Sequence, residues 1–117
     1  MPDPRLRPAG SARLRHHAPL RHVVQRHVWM QTHLAENPRE LALVAERFPD
    51  RRDYLDVYDR FGLVGPRSMF AHCIHMTDRA LHRMAEAGAA VAHCPTSNLF
   101  LGSGLYDLAR ADAHGVR

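Results

Sequence analysis

The sequence predicts an α/β fold built on a parallel sheet, and three observations carry that prediction. Short apolar runs, "VWMQTH", "SMFAH" and "AAVAH", recur between residues 28 and 93. The segments between them place apolar residues at helical spacing, so strands alternate with helices, which is the pattern of right-handed crossovers and parallel pairing. Each strand also runs into a polar cluster, "THLAEN", "AHCIH" or "AHCPTSN". The C-terminal ends of parallel strands are where such folds keep their chemistry.

The elements are justified in order. Residues 1–27 have Leu14, Leu20, Val23 and Val24 at loosely helical positions, but Pro19 interrupts them and arginine or histidine fills much of the rest, so no helix is predicted there. From Val28, "VWMQTH" reads as a buried strand. "NPRELALVAERF" comes next as a helix: Asn37 caps it, Pro38 opens it, Glu40 stands at the capping-box position, and Leu41, Leu43, Val44 and Phe48 form its apolar stripe. "RDYLDVYDRFG" is a second helix with Tyr54, Leu55, Val57, Tyr58 and Phe61 turned to a core and Gly62 as its stop. "PRSMFAHCIH" is the next strand. "MTDRALHRMAEAG" is a helix capped by Thr77 and ended by Gly88. "AAVAHCPTSN" is a third strand broken at Pro95, and its "PTSN" reads as a polar loop in which Ser97 or Asn98 caps the succeeding helix. "LFLGSGLYDLARADAHG" leads through glycines into a helix ending near Gly115, and "VR" begins a further strand.

Length and composition bound the function classes. At 117 residues and 45% apolar content the chain suits one small domain with a core. No run of 18 apolar residues predicts a membrane span, and the N-terminus lacks the apolar stretch of a secretory signal. Cys73 and Cys94 do not make a disulfide framework, so reduced thiols in the cytoplasm are expected. Residues 1–30 carry six arginines against Asp3, with His16, His17, His22 and His27 among them, while the remainder is nearly balanced. That basic tail has no interleaved aromatics for base stacking, so nucleic acid is not the expected partner. The expected organisation is a basic segment at 1–27 and an α/β domain at 28–117.

His33 closes the first strand, and Glu36 stands three residues later. An imidazole at a strand end can hold a metal, and a carboxylate in the next loop can reach the same spot to move protons. The alternative is local: Glu36 charges the start of the helix and His33 hydrogen-bonds nearby. His72 occupies the equivalent end of the next strand and shifts the balance toward a shared site. Cys73, His75, His93 and Cys94 offer a rival structural zinc site, but no C-x-x-C knuckle is present and His72 differs in strand parity from Cys73 and His75. Cys94 before Pro95 reads as a small buried hydrophobe. Gly102, Ser103 and Gly104 allow a close backbone approach. With no lysine in the chain, a phosphate-binding P-loop is excluded.

The strings "QTHLAENPRE", "YLDVYDRFGLVGPRS", "FAHCIH" and "AHCPTSNLFLGSG" together resemble the guanine deaminases of the amidohydrolase superfamily. The resemblance covers about residues 28–117, and "DPRLRP" is a weaker match. It implies a partial (β/α)8 TIM barrel, about strands five to seven with their helices. It also implies zinc-dependent hydrolysis of guanine to xanthine and ammonia by a homodimeric, cytoplasmic enzyme. By resemblance, His33 is a zinc ligand, Glu36 shuttles protons between water and the purine, and His72 positions the attacking hydroxide. Arg5, Leu6, His33 and Glu36 would face the substrate; Arg5 would contact the guanine carbonyl, and Leu6 stands where the family has phenylalanine.

The family's first-strand His-x-His pair and its eighth-strand Gly-Thr-Asp motif have no counterpart in this sequence. Residues 6–27 also replace an amphipathic helix with an Arg/His-rich string, as a locally shifted reading frame would. The expectation is therefore a truncated, inactive piece of a deaminase. Two alternatives stand beside it: another purine or nucleoside deaminase of the superfamily, and a non-catalytic interaction module.

Overall fold

A computed structural model of the chain describes residues 28–117. Eight elements succeed one another: β1 (Met30–Leu34), α1 (Pro38–Arg47), α2 (Tyr54–Arg60), β2 (Ser68–His72), α3 (Asp78–Ala87), β3 (Ala90–Ala92), α4 (Pro95–Phe100) and α5 (Leu108–Ala113). The three strands form a parallel sheet in the order β1-β2-β3. The α/β architecture with parallel pairing is the one the alternation predicts. The expectations for residues 1–27, including Arg5, Leu6 and the basic segment, lie outside the described residues. Among the described residues, no helix is long and apolar enough to cross a membrane.

Four of the five helices among the described residues start at a side-chain cap. Asn37 Oδ1 accepts from the Glu40 N–H at 2.9 Å, Asp53 Oδ1 from Asp56 at 2.9 Å, Thr77 Oγ1 from Ala80 at 3.1 Å, and Asp107 Oδ1 from Arg110 at 2.9 Å. Each cap contributes about 1 kcal/mol by satisfying an N–H the helix cannot. α3 ends at Gly88 with φ +74°, a left-handed turn that glycine adopts without a side-chain penalty.

The register divides the sheet into two faces. Met30 lies beside Ser68, Leu34 beside His72, and Ala71 beside Ala92. Leu34, Ser68 and Phe70 point to the covered side, where Leu55 of α2 and Ala80, Leu81 and Met84 of α3 complete a core with Val64, Met76, Ala89 and Ala111. Tyr58 of α2 sets its ring 5.7 Å from that of Phe70. Ser68 is buried yet satisfied, since its hydroxyl donates to the Leu63 carbonyl and accepts from the Gly65 N–H. Gln31, His33, Met69 and Ala71 alternate onto the opposite side, which stays open.

α3 is tied to α2 by two bidentate ion pairs. Arg79 donates through Nε and Nη2 to Asp53, both at 2.7 Å, and Arg83 donates to Asp59 at 2.8 and 3.1 Å. Burial pushes the Asp53 carboxyl up. The hydrogen bonds from Arg79 and the Asp56 N–H, together with the Arg79 charge, outweigh it and hold the group below its ordinary value.

Four sequence readings need correction. The α1 stripe does not enter the core: no residue of α1 is buried, Leu43 is 49% exposed, and Leu41 packs against the core's edge. The predicted loop "PTSN" is the first part of α4, opened by Pro95 at its first position. Proline has no N–H to lose there and its fixed φ favours helix. Cys94 is half-buried, whereas Cys73 is the fully buried thiol. The terminal "VR" forms no strand, although the Val91 N–H donates to the Arg117 carbonyl at 2.7 Å beside β3.

Candidate functional site

The C-terminal ends of β1 and β2 leave the sheet through strained backbone. Ala35, His72 and Cys73 have φ of +51°, +72° and +49°, a region that costs a non-glycine residue about 1–3 kcal/mol. Backbone bonds hold them there: Cys73 N–H donates to the Leu34 carbonyl at 2.9 Å, and Ile74 and His75 donate to Ala35 at 3.2 and 3.1 Å.

This strain re-aims His72. Strand alternation would put its side chain on the covered face with its register partner Leu34. Instead its ring stacks on that of His33, a residue of the open face, with centroids 5.3 Å apart and planes at 20°. His33 is exposed, and neither ring nitrogen has a hydrogen-bond partner among the described residues. Glu36, carried past the strand end by the turn at Ala35, places Oε2 3.6 Å from His72 Nε2. The three candidates His33, Glu36 and His72 thus meet at one sheet end. Arg5 and Leu6 fall outside the described residues.

Sequence reasoning missed the partners that hold this group. Asn98, inside α4 and 1% exposed, sets Oδ1 2.7 Å from His72 Nδ1; it caps no helix. A buried polar residue one turn into a Pro-opened helix was the available signal. The Ser103 hydroxyl donates to Glu36 Oε1 at 3.4 Å, its N–H donates to the Asn98 carbonyl at 3.0 Å, and its carbonyl accepts from His75 Nε2 at 3.0 Å. Gly104 permits this closeness, with φ +125° and an added Cβ 3.1 Å from Ile74 Cγ2. Two hollows flank the group. One of about 300 Å³ runs over the open face between Gln31, His33, Met69 and Ala92. The other, about 420 Å³, lies between Glu36, Arg39 and Ser103.

A zinc centre needs three or more protein ligands. His33 offers the right donor, but among the described residues no three His, Cys, Asp or Glu side chains are grouped to hold a metal. These residues alone do not fit a zinc centre. The rival structural site fails for the same reason, and Cys73 turns its thiol back to the Phe70 carbonyl.

Known proteins share both this sequence and this arrangement of strands and helices. A sequence model of the Amidohydrolase family matches residues 17–117. Guanine deaminase of Escherichia coli (strain K12) is 48% identical over 83 residues, covering 71% of this chain and 19% of that protein. A solved structure of the E. coli enzyme superposes with a TM-score of 0.76 at 42% identity, over 89% of this chain and 22% of that one. The guanine deaminase of C. acetobutylicum, solved with guanine in its active site, gives 0.72 at 36% identity over 74% and 21%. An adenosine deaminase from Xanthomonas campestris with bound zinc gives 0.70 at 31% identity over 76% and 20%. The chain spans about one fifth of the length of these relatives. It belongs to the amidohydrolase family.

Proposed function

We propose that this chain forms part of the active-site mouth of a guanine deaminase, contributing about the fifth to seventh strands of a (β/α)8 barrel and hydrolysing guanine to xanthine and ammonia in the complete enzyme. The observation that carries the reading is the meeting of His33, Glu36 and His72 at adjacent parallel strand ends, in a chain 48% identical to a guanine deaminase over 83 residues.

In this reading Glu36 is the proton carrier. Its carboxylate takes a proton from the attacking water and passes it to a purine ring nitrogen. It then takes the second proton from the newly attached hydroxyl and delivers it to the amino group, which departs as ammonia as the carbonyl forms. His72 orients the water. Arg5 and Leu6 would meet the base, with Arg5 on its carbonyl oxygen. His33 is one zinc ligand, and with a single such ligand the 117-residue chain is proposed to be inactive alone. The complete enzyme is proposed to be a cytoplasmic homodimer.

The test is an exchange protein in which residues 28–117 replace the matched segment of the E. coli enzyme. Retained guanine turnover supports the reading; a folded, zinc-loaded exchange protein that forms no xanthine ends it. The likeness to a zinc-bound adenosine deaminase keeps a nucleoside deaminase as the second reading, and adenosine turnover in place of guanine turnover would select it.

A further inference from the structure

We propose that His75 is a positioning residue for Glu36: it latches the loop between α4 and α5, and the latched loop keeps the Ser103 hydroxyl on the Glu36 carboxylate. The proposal rests on the proton-carrying role given to Glu36, while the latch itself rests on geometry alone. The His75 N–H donates to the carbonyl of Ala35, the residue before Glu36, at 3.1 Å. Its ring Nε2 donates to the Ser103 carbonyl at 3.0 Å. A carbonyl only accepts, so this bond puts a hydrogen on Nε2 whether the ring is neutral or charged. The Ser103 hydroxyl then reaches Glu36 Oε1 at 3.4 Å. These bonds close a circuit from Ala35 through His75 and Ser103 to Glu36 and back along the chain.

Ser103 depends on such a tether. It stands between Gly102 and Gly104, at φ of +65° and +125°, so the torsions on both sides of it are the freest a chain offers. Leu101 and Leu105 are 62% and 74% exposed and do not pin the loop by burial. The Ser103 backbone is held instead by two bonds, its N–H to the Asn98 carbonyl at 3.0 Å and its carbonyl to His75. Gly104 lets the loop lie against the imidazole, where a Cβ would stand 3.8 Å from His75 Cε1. The 3.4 Å contact with Glu36 is the longest in the circuit, so a small shift of the loop breaks it first. With Oε1 taken by Ser103, Oε2 is the oxygen turned toward the stacked His33 and His72 rings. His75 thereby fixes which carboxylate oxygen faces the site, and does so without touching substrate.

The latch is tested by amide deuteration of the 117-residue chain and by guanine turnover in the exchange protein. His75→Phe keeps a ring beside Gly104 and removes the donor, whereas His75→Gln supplies a donor of similar reach. In the chain, His75→Phe should speed deuteration of the Ser103 N–H about tenfold. The Leu81 N–H, bonded to Thr77 in α3, should keep its rate, and His75→Gln should bring the Ser103 rate back. In the exchange protein, His75→Phe and Ser103→Ala should each lower kcat about tenfold with little change in KM. The double variant should fall no further than either alone, because both act through one hydroxyl. An unchanged Ser103 rate in His75→Phe overturns the proposal, and so do additive losses in the double variant. Should His75→Phe fail to fold, His75→Asn, whose amide is too short to reach Ser103, gives the same readings. An exchange protein that forms no xanthine, with the deuteration rates as expected, would refute the deaminase reading alone.

Discussion

Arg79 grips Asp53 with two nitrogens at 2.7 Å, joining the first turn of α3 to the cap of α2. Because the folded carboxyl is held below its ordinary value, the pair stabilises the fold above the unfolded value of about 3.9. That contribution disappears as the pH falls through the folded value. Asp53→Asn keeps a capping oxygen and removes the charge. It should cost about 1 kcal/mol at neutral pH, measured by urea unfolding, and the gap should close in strong acid. A gap of equal size at both pH values would contradict this account.

Burial, with a smaller effect from nearby Cys94, pushes the Cys73 thiol up to about 12. At pH 8 the thiolate is then on the order of one part in ten thousand. Iodoacetamide on the folded chain should alkylate Cys94 and leave Cys73 unmodified until urea is added, as read by peptide mass spectrometry. Equal labelling of both in the folded chain would show that the Cys73 environment is open.

Gly104→Ala should destabilise the chain by about 1–3 kcal/mol, since alanine rarely adopts φ +125° and its Cβ would press on Ile74. The displacement falls on the loop that presents Ser103 to Glu36, so guanine turnover of the exchange protein should drop too. Gly102→Ala, strained at φ +65° but with open space around it, should lose stability and keep its turnover. Identical behaviour of the two variants would separate Ser103 from catalysis.

Glu36→Gln in the exchange protein should lower kcat about 10²–10⁴-fold, because an amide cannot carry the proton. KM and bound zinc should change little, as Glu36 is not assigned a ligand role. Undiminished turnover would remove Glu36 from the proton pathway.

The sequence was legible wherever a residue acts on its own neighbourhood. Asn37 and Thr77 announced helix starts because capping is settled within three residues, and Gly88 announced a stop because a left-handed turn favours glycine. The strand ends bearing His33 and His72 were visible from apolar runs that terminate in polar residues. That His72 would face the same mouth as His33 was read from the strand ends, but the left-handed backbone that turns it there was not, since it depends on bonds to the Leu34 and Ala35 carbonyls. Asn98 was read only as an alternative to Ser97 for a cap, because its partner lies 26 positions away. The Arg79–Asp53 and Arg83–Asp59 clasps were hidden likewise: each joins residues on different helices, and surface charge patterns do not name their partners.

The positive φ of His72 also orders the substitutions this position will accept. Asparagine enters the left-handed region more readily than most side chains, whereas valine and isoleucine resist it most strongly. Glutamine, the closer mimic of an imidazole nitrogen by reach, carries the ordinary backbone penalty. Tolerance at residue 72 should therefore follow two scales, one of ring chemistry and one of chain geometry. A library of variants scored separately for folding and for turnover would show the two rankings diverge.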